Sequence, residues 1–360
     1  MRILYDHRIF SVQKFGGISR YFCELASNLS QRKGIEVKIS TLYNENSYYE
    51  SLTKSKPILS GINFKGKYHA VKFLNEIYTR HNLSKKKFDI FHPTYFDSYH
   101  IGKSPYVITV YDMIYEKYPC YFIGDPITEI KKTVVMNASK VIAISESTKK
   151  DIVSIYGMEP EKITVIPLAT KFGEIAPSNM YIPKRYILFV GNRIWYKNFK
   201  QFCESISDIL QEDMDLHLVF AGSSPFTEAE HNFLVKIGIA NKTIYYPVNS
   251  DSQLSTLYRN ALVFVFPSLY EGFGIPMLEA MECGCPIAAS NKSSLPEVGG
   301  DAALYFDPTY SESISKVIRS IIYSDNVRRN LIQNGYIRAK DFSWTKTADA
   351  TLKVYEEMLE

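Results

Sequence analysis

The 360-residue sequence lacks the features that would hold a small secreted domain together or carry a chain through a membrane. Its five cysteines (Cys23, Cys120, Cys203, Cys283, Cys285) are odd in number and contain no C-x-x-C pair. Neither a disulfide framework nor a thiolate zinc site can be built on that spacing, and a reducing, cytoplasmic setting fits best. The N-terminus, Met1-Arg2-Ile3-Leu4-Tyr5-Asp6-His7, meets charge too early for a signal peptide. The longest apolar run, Ala261–Pro267, falls far short of the ~20 residues of a membrane span. There is no low-complexity tract to suggest disorder.

What is present is an ordinary globular composition, 46% hydrophobic and 22% charged, in a chain long enough for two domains. Tyrosine is abundant, with 27 copies, a residue that suits sugar sites but equally suits core and surface. The net charge of +4 conceals an asymmetry: residues 1–180 carry 25 Lys and Arg against 17 Asp and Glu, and the remainder 17 against 21. The stretch Lys65–Lys87 interleaves lysines with aromatic and aliphatic residues. It reads either as a solvated basic face or as a surface-seeking amphipathic helix that lets a basic N-terminal domain touch an anionic membrane. Nucleic acid is not expected as a partner.

Along the first half, strand and helix signals alternate. Arg2–Tyr5 reads as a strand, and Ile18, Tyr21, Phe22, Leu25, Ala26 and Leu29 fall on one helical face, with Gly34 placed to end that helix. Further strand-like runs occur at 35–41, 88–91, 106–110, 141–144 and 163–166. Between the last two, a hydroxyl cap at Ser147 opens a helix that Gly157 closes. The pattern lapses over 168–184 and then resumes with strands at 186–190, 216–220 and 261–266, and a last helix from about Ser343 to Glu360. Alternation of this kind, twice over, predicts an α/β protein of two doubly wound, Rossmann-like domains, with ligands beyond the carboxyl ends of the strands. The boundaries expected are a first domain over 1–168, a linker over 169–184, a second domain over 185–342, and a C-terminal helix over 343–360 that packs back toward the first domain.

The loops beyond those strand ends hold the candidate chemistry. A buried strand leads into Pro267-Ser268-Leu269-Tyr270-Glu271-Gly272-Phe273-Gly274-Ile275-Pro276, with Pro276 at a first helical position and Gly284 near the helix end. Such a helix start can take a phosphate, with Glu271 before it and Glu279 about a turn inside reaching opposite ends of a ligand. A tight strand–turn–helix with two surface glutamates fits the same residues. After the strand ending at Val190, Arg193 and Lys197 can clamp a diphosphate and replace a metal, or can simply be solvated. Gly16-Gly17 opens the first helix, Tyr111-Asp112 follows another strand, and His92 follows a third. Asp213-Met214-Asp215 spells a D-x-D metal signature, but it lies before a strand, at the wrong end of a sheet, so no metal site is expected.

The segment Pro267–Ala280 resembles the E-x7-E motif of the large retaining glycosyltransferase family with the GT-B fold, often called family 4. The likeness runs through EGFGIPMLEAMECGCPIAAS to Ser294-Leu295-Pro296-Glu297-Val298. It implies that Glu271 contacts the transferring sugar, that Glu279 holds the ribose, and that the backbone of Gly272, Phe273, Gly274 and Ile275 cradles sugar and phosphate. It assigns Arg193 and Lys197 to the donor diphosphate and Gly16-Gly17 to a loop over the distal phosphate and acceptor. Many relatives have His-Asp where this chain has Tyr111-Asp112, so Asp112 is the expected acceptor-orienting or catalytic partner of Glu271. Tyr111 and His92 are candidate acceptor or sugar contacts, though a tyrosine with an ordinary pKa near ~10 is a poor base. The resemblance implies a metal-independent, cofactor-free transferase, its site in the cleft between the domains, moving a hexose from a nucleotide sugar onto a saccharide or lipid-linked acceptor. GDP-mannose is the favoured donor and bacterial polysaccharide or O-antigen synthesis the setting, in the cytoplasm or peripherally at its membrane. A nucleotide-sugar 2-epimerase and a non-catalytic binding homologue of the same fold are the alternatives.

Overall fold

The computed structural model of the protein describes residues 1–53, 67–172, 175–176, 178–222 and 224–360. The chain divides into two compact units, Met1–Leu168 with Trp344–Glu360, and Ala169–Ser343. Lys65 and Gly66 of the basic stretch, and residues 173, 174 and 177 of the expected linker, lie outside the described residues.

In the first unit the strands are β1 (Arg2–Tyr5), β2 (Glu36–Ile39), β3 (Ile90–His92), β4 (Val107–Val110), β5 (Lys140–Ala143) and β6 (Ile163–Val165). They form two parallel three-stranded sheets, β2–β1–β3 and β4–β5–β6, where the alternation had suggested one. β3 is only three residues long, and across its junction with β4 a side-chain bond is made, His92 Nε2 with Thr109 Oγ1 at 2.9 Å. The helices are α1 (Arg8–Val12), α2 (Gly17–Ser30), α3 (Ser47–Thr53), α4 (Lys67–Ser84), α5 (Ile114–Lys117), α6 (Ile127–Met136) and α7 (Glu146–Tyr156). Tyr21, Phe22, Leu25, Ala26 and Leu29 of α2 are buried, as the 3.6-residue period requires. The helix stops at Ser30, before Gly34, whose φ of +79° serves the turn into β2. Ser145 rather than Ser147 caps α7, its hydroxyl accepting the Thr148 N–H, and Gly157 ends that helix in the left-handed region.

The second unit is built on β7 (Tyr186–Val190), β8 (His217–Gly222), β9 (Thr243–Pro247), β10 (Val263–Phe266), β11 (Ile287–Ser290) and β12 (Ala303–Phe306). Around them run α8 (Phe199–Glu212), α9 (Glu228–Lys236), α10 (Asp251–Asn260), α11 (Ile275–Glu282), α12 (Leu295–Gly299), α13 (Ser311–Ile322) and α14 (Asp325–Ala339). All six strands are parallel, in the order β12–β11–β10–β7–β8–β9. The order reverses at β7, so its boundary with β10 is the topological switch point, where such sheets leave a crevice for ligands. The core packs Phe202, Ile206 and Ile209 of α8 and Ile314 and Ile318 of α13 against the strands.

The last helix, α15 (Trp344–Glu357), belongs to the first unit and packs on α2. Thr347 Oγ1 donates to the carbonyl of Pro167 at 2.9 Å, and Tyr355 and Tyr5 share a hydroxyl contact of 3.2 Å. Among the described residues no helix is long and apolar enough to cross a membrane.

Candidate active site

The two loops expected to carry chemistry leave β7 and β10, the strands that flank the switch point. Gly191, at φ +117°, starts the first. A Cβ on Gly222 at the end of β8 would sit 2.8 Å from the Gly191 carbonyl oxygen, so the two strand ends meet backbone to backbone. The second loop is tied to the first by the Leu269 N–H on the Tyr196 carbonyl, 2.7 Å.

Across these loops Lys197 Nζ donates to Glu271 Oε1 at 2.6 Å, with both side chains only 13% exposed. The ammonium also lies 5.1 Å from the centre of the Phe266 ring. The Glu271 loop is fastened from behind: its N–H donates to Ser293 Oγ at 2.9 Å, and Ser294 Oγ reaches the carbonyls of Glu271 and Phe273 at 3.0 and 2.9 Å. Gly272, Phe273 and Gly274 are buried, and Ile275 opens α11, which places Pro276 at the second helical position rather than the first. Glu279, on the next turn, is buried and accepts from Tyr258 Oη of α10 at 3.2 Å. Burial pushes the Tyr258 hydroxyl well above its ordinary range, so it stays a donor.

Gly274 caps α11 at φ +109°, and a Cβ there would meet Leu295 Cδ2 at 2.9 Å. Gly274→Ala is therefore expected to cost about 1–3 kcal/mol of stability in the second unit. Thermal unfolding checks this; an unchanged melting temperature would show that the loop does not depend on the left-handed geometry.

Arg193, the other residue expected at the diphosphate, is held by acceptors of its own. Its guanidinium donates to both Glu230 oxygens, 2.8 and 3.1 Å, and to the Ser224 and Pro225 carbonyls, 3.0 and 2.7 Å, with the side chain 5% exposed. It stacks over Phe226 as well, 4.7 Å from the ring centre. In this structure it fastens the loop after β8, and of the two basic residues Lys197 is the one at Glu271.

In the first unit, Gln13 folds over the start of α2: its Oε1 accepts the Ser19 N–H at 3.3 Å, next to Gly16 and Gly17. Asp112, past β4, closes a turn on the Ile114 N–H (3.1 Å) and lies 3.9 Å from the buried Lys131 ammonium. Lys131 also donates to Glu116 Oε2 at 2.9 Å and to the Asp112 carbonyl. Beside Asp112 a cavity of about 30 Å³ is lined by Tyr95, Tyr111, Tyr115 and Ile18. Tyr111 is buried edge-on to Tyr21, and desolvation raises its hydroxyl well above the ordinary value, so it is no base at neutral pH.

His92 is corrected from an acceptor contact to a core residue. It is fully buried, with Nδ1 at 2.7 Å from Tyr355 Oη and Nε2 at 2.9 Å from Thr109 Oγ1. Desolvation lowers its pKa to about 3, and burial lowers His7 and His100 as well. The unfolded chain therefore binds more protons than the native one between roughly pH 6.5 and 3. Stability is full above that window and falls on acidification, by up to about 1.4 kcal/mol per pH unit for one such histidine. His92→Gln is expected to narrow the gap in unfolding free energy between pH 7.5 and pH 4.5. An unaltered gap would contradict a neutral, buried His92.

Sequence reasoning missed Ser293, Tyr258, Glu230 and Lys131. Ser294 stood inside the quoted motif without an assigned part. Asp213 of the D-x-D triplet pairs with Arg185 at 3.0 Å, ahead of β8. Among the described residues no group of three or more His, Cys, Asp or Glu side chains is placed to hold a metal.

Two α/β units, the second with an acid–lysine pair at its switch point, make the architecture of a GT-B glycosyltransferase. A family model described as Glycosyltransferase Family 4 matches residues 15–170, and one described as Glycosyl transferases group 1 matches residues 174–338. The chain belongs to this family 4 type of glycosyltransferase, and its curated relatives include mannosyltransferases. It is 29% identical over 272 residues to O-antigen chain mannosyltransferase B of Escherichia coli, covering 69% of this chain and 70% of that one. It is 29% identical over 241 residues to an MMP alpha-(1->4)-mannosyltransferase of Mycolicibacterium hassiacum, covering 64% of this chain and 57% of the relative. Among solved structures, Anabaena HepE in complex with UDP and glucose superposes over 99% of both chains with a TM-score of 0.72 at 15% identity, a likeness of fold.

Proposed function

We propose that the enzyme transfers a hexose, with GDP-mannose the favoured donor, to a saccharide or lipid-linked acceptor of bacterial polysaccharide or lipopolysaccharide, with retention at the anomeric carbon. The observation that carries the reading is the Lys197–Glu271 pair at the switch point, ahead of a helix that holds Glu279 one turn in. The names of the mannosyltransferase relatives support the donor sugar and the class of acceptor.

Glu279, steadied by Tyr258, takes the ribose hydroxyls. Lys197 takes the diphosphate, and the start of α11 adds backbone N–H groups to the same charge. A departing diphosphate stabilised in this way needs no metal. Glu271 then faces the sugar ring, while Arg193 acts indirectly, by holding the loop after β8. In the first unit Asp112 orients the acceptor hydroxyl. The bond from anomeric carbon to phosphate oxygen breaks, the acceptor oxygen bonds on the same face, and its proton passes to the leaving phosphate.

Product analysis tests this: GDP-mannose, an oligomannoside acceptor and EDTA are incubated with the full chain and followed by NMR. The α-linked product and free GDP are expected. A β-linked product would overturn retention, and an epimerised sugar formed without acceptor would overturn transfer.

A further inference from the structure

Between β4 and α6 the chain carries large apolar side chains that it does not bury. Helix α5 ends at Lys117, a turn of 3-10 helix spans Pro119–Tyr121, and α6 begins at Ile127. Tyr121 and Ile123 are 55% and 88% exposed. Phe122 and Tyr115, both half-buried, stack face to face, with ring centres 4.0 Å apart and planes at 28°. The run is held in shape. The N–H groups of Tyr121, Phe122 and Asp125 donate to the carbonyls of Tyr118, Pro119 and Phe122, each at 3.1 Å. A preformed apolar ledge of this kind marks a surface that something covers.

The ledge starts where the cavity beside Asp112 ends, because Tyr115 lines that cavity and carries Phe122 on its ring. At about 30 Å³ the cavity has room for a hydroxyl-sized group and not for a sugar ring. A hydroxyl seated there leaves the ring that bears it outside, over Tyr115 and Phe122. A pyranose has apolar C–H faces and an edge of hydroxyls, so it calls for aromatic faces flanked by hydrogen-bond acceptors. Both are present. Burial, then the carboxylates of Asp125 and Asp112, push the Tyr115 hydroxyl up, so it is a donor set between two acceptors.

The local charge narrows the ligand further. From Tyr118 to Ile130 there is no Lys or Arg, and there are two acids, Asp125 and Glu129. The flanking lysines are engaged, Lys117 with Asp151 at 2.8 Å and Lys131 with Glu116 at 2.9 Å. A phosphate or an anionic lipid surface meets repulsion here, whereas a neutral sugar does not.

We propose that Tyr115, Tyr121, Phe122 and Ile123, with Asp125, form a second acceptor subsite, which binds the sugars of a neutral oligosaccharide behind the one whose hydroxyl reacts. The inference rests on the assignment of a saccharide acceptor to the first unit at Asp112. Its consequence is selection by length: the enzyme extends an existing chain in preference to a single sugar.

The test is calorimetric titration of the full chain, without donor, with methyl α-mannoside and with a neutral mannotriose, and transfer from GDP-mannose to both is measured alongside. The trisaccharide is expected to bind about tenfold more tightly. That advantage should vanish in a Tyr121→Ser, Phe122→Ser, Ile123→Ser variant and shrink in Asp125→Asn, which keeps the side-chain oxygen that accepts the Ile127 N–H at 3.0 Å. Methyl mannoside affinity and melting temperature should hold in both variants. Equal binding of the two sugars, no binding of the trisaccharide, or a length preference untouched by both variants would overturn the proposal. So would tighter binding of a phosphorylated trisaccharide, which would make the ledge an anion site. A length preference in binding without transfer would support the subsite and strike the donor assignment. Transfer to both acceptors with equal kcat/KM would strike the subsite and leave the transferase reading in place.

Discussion

Lys197→Met is expected to lower kcat/KM by about 10²–10³-fold, through a weaker hold on the diphosphate and a slower departure of it. Methionine keeps an unbranched stem of similar length and removes the charge, which lies 5.1 Å from the centre of the Phe266 ring. In the donor-free protein that charge is committed to Glu271 at 2.6 Å, within a pair that is largely shielded from water. A diphosphate entering the switch-point crevice competes for the same ammonium with two negative phosphates instead of one carboxylate. On the proposed reading, donor binding would release Glu271 toward the sugar, and the lysine would couple occupancy of the phosphate site to the freeing of that carboxylate. Steady-state kinetics with titration of the nucleoside diphosphate check the point. Unchanged affinity and turnover would remove Lys197 from the site.

Glu271→Gln is expected to depress kcat by a similar order, about 10²–10³-fold, but with the opposite sign on nucleotide binding. The amide is isosteric and keeps the loop fastened through Ser293 and Ser294, which hold its backbone rather than its side chain. It no longer holds Lys197 as an ion pair. Free nucleoside diphosphate should bind the variant as well as the parent protein, or more tightly. The double variant should lose less than the product of the two single losses, because each removes the same coupling. Weaker diphosphate binding in Glu271→Gln would show that the carboxylate does not compete for the lysine. Fully multiplicative losses would show two independent sites.

How much of this was legible in the sequence depended on whether the deciding physics is local. Strands β7 and β10 showed as short runs of buried apolar residues, and the left-handed glycines at 157, 274 and 284 stood where helices begin or end. Strands β9, β11 and β12 did not show. β9 is a half-buried edge of mixed character, and β11, Ile-Ala-Ala-Ser, has too little side chain to stand out from a loop. Three hydroxyl residues, Ser145, Ser147 and Thr148, offer themselves as cap to α7. The extended backbone at Ser145 selects among them, and that backbone is set by the preceding strand.

In the site, the residue types and their placement after strands were readable, whereas their partners were not. Arg193 looked like a diphosphate clamp because the acid that takes it, Glu230, lies 37 residues further on, on a helix whose approach no spacing rule reveals. His92 looked available because Tyr355, which occupies its Nδ1, arrives from the last helix of the chain, 263 residues away. The order of strands that makes β7 and β10 neighbours is of the same kind, a non-local pairing visible only once the sheet is formed.

The central claim is that this crevice binds a nucleotide-sugar donor with Lys197 in place of a metal. The most direct measurement is calorimetric titration of GDP-mannose into the full chain in EDTA, with Lys197→Met in parallel. Saturable binding without metal is predicted, at least about tenfold weaker in the variant. Binding that requires magnesium, or that is equally strong in Lys197→Met, would contradict it.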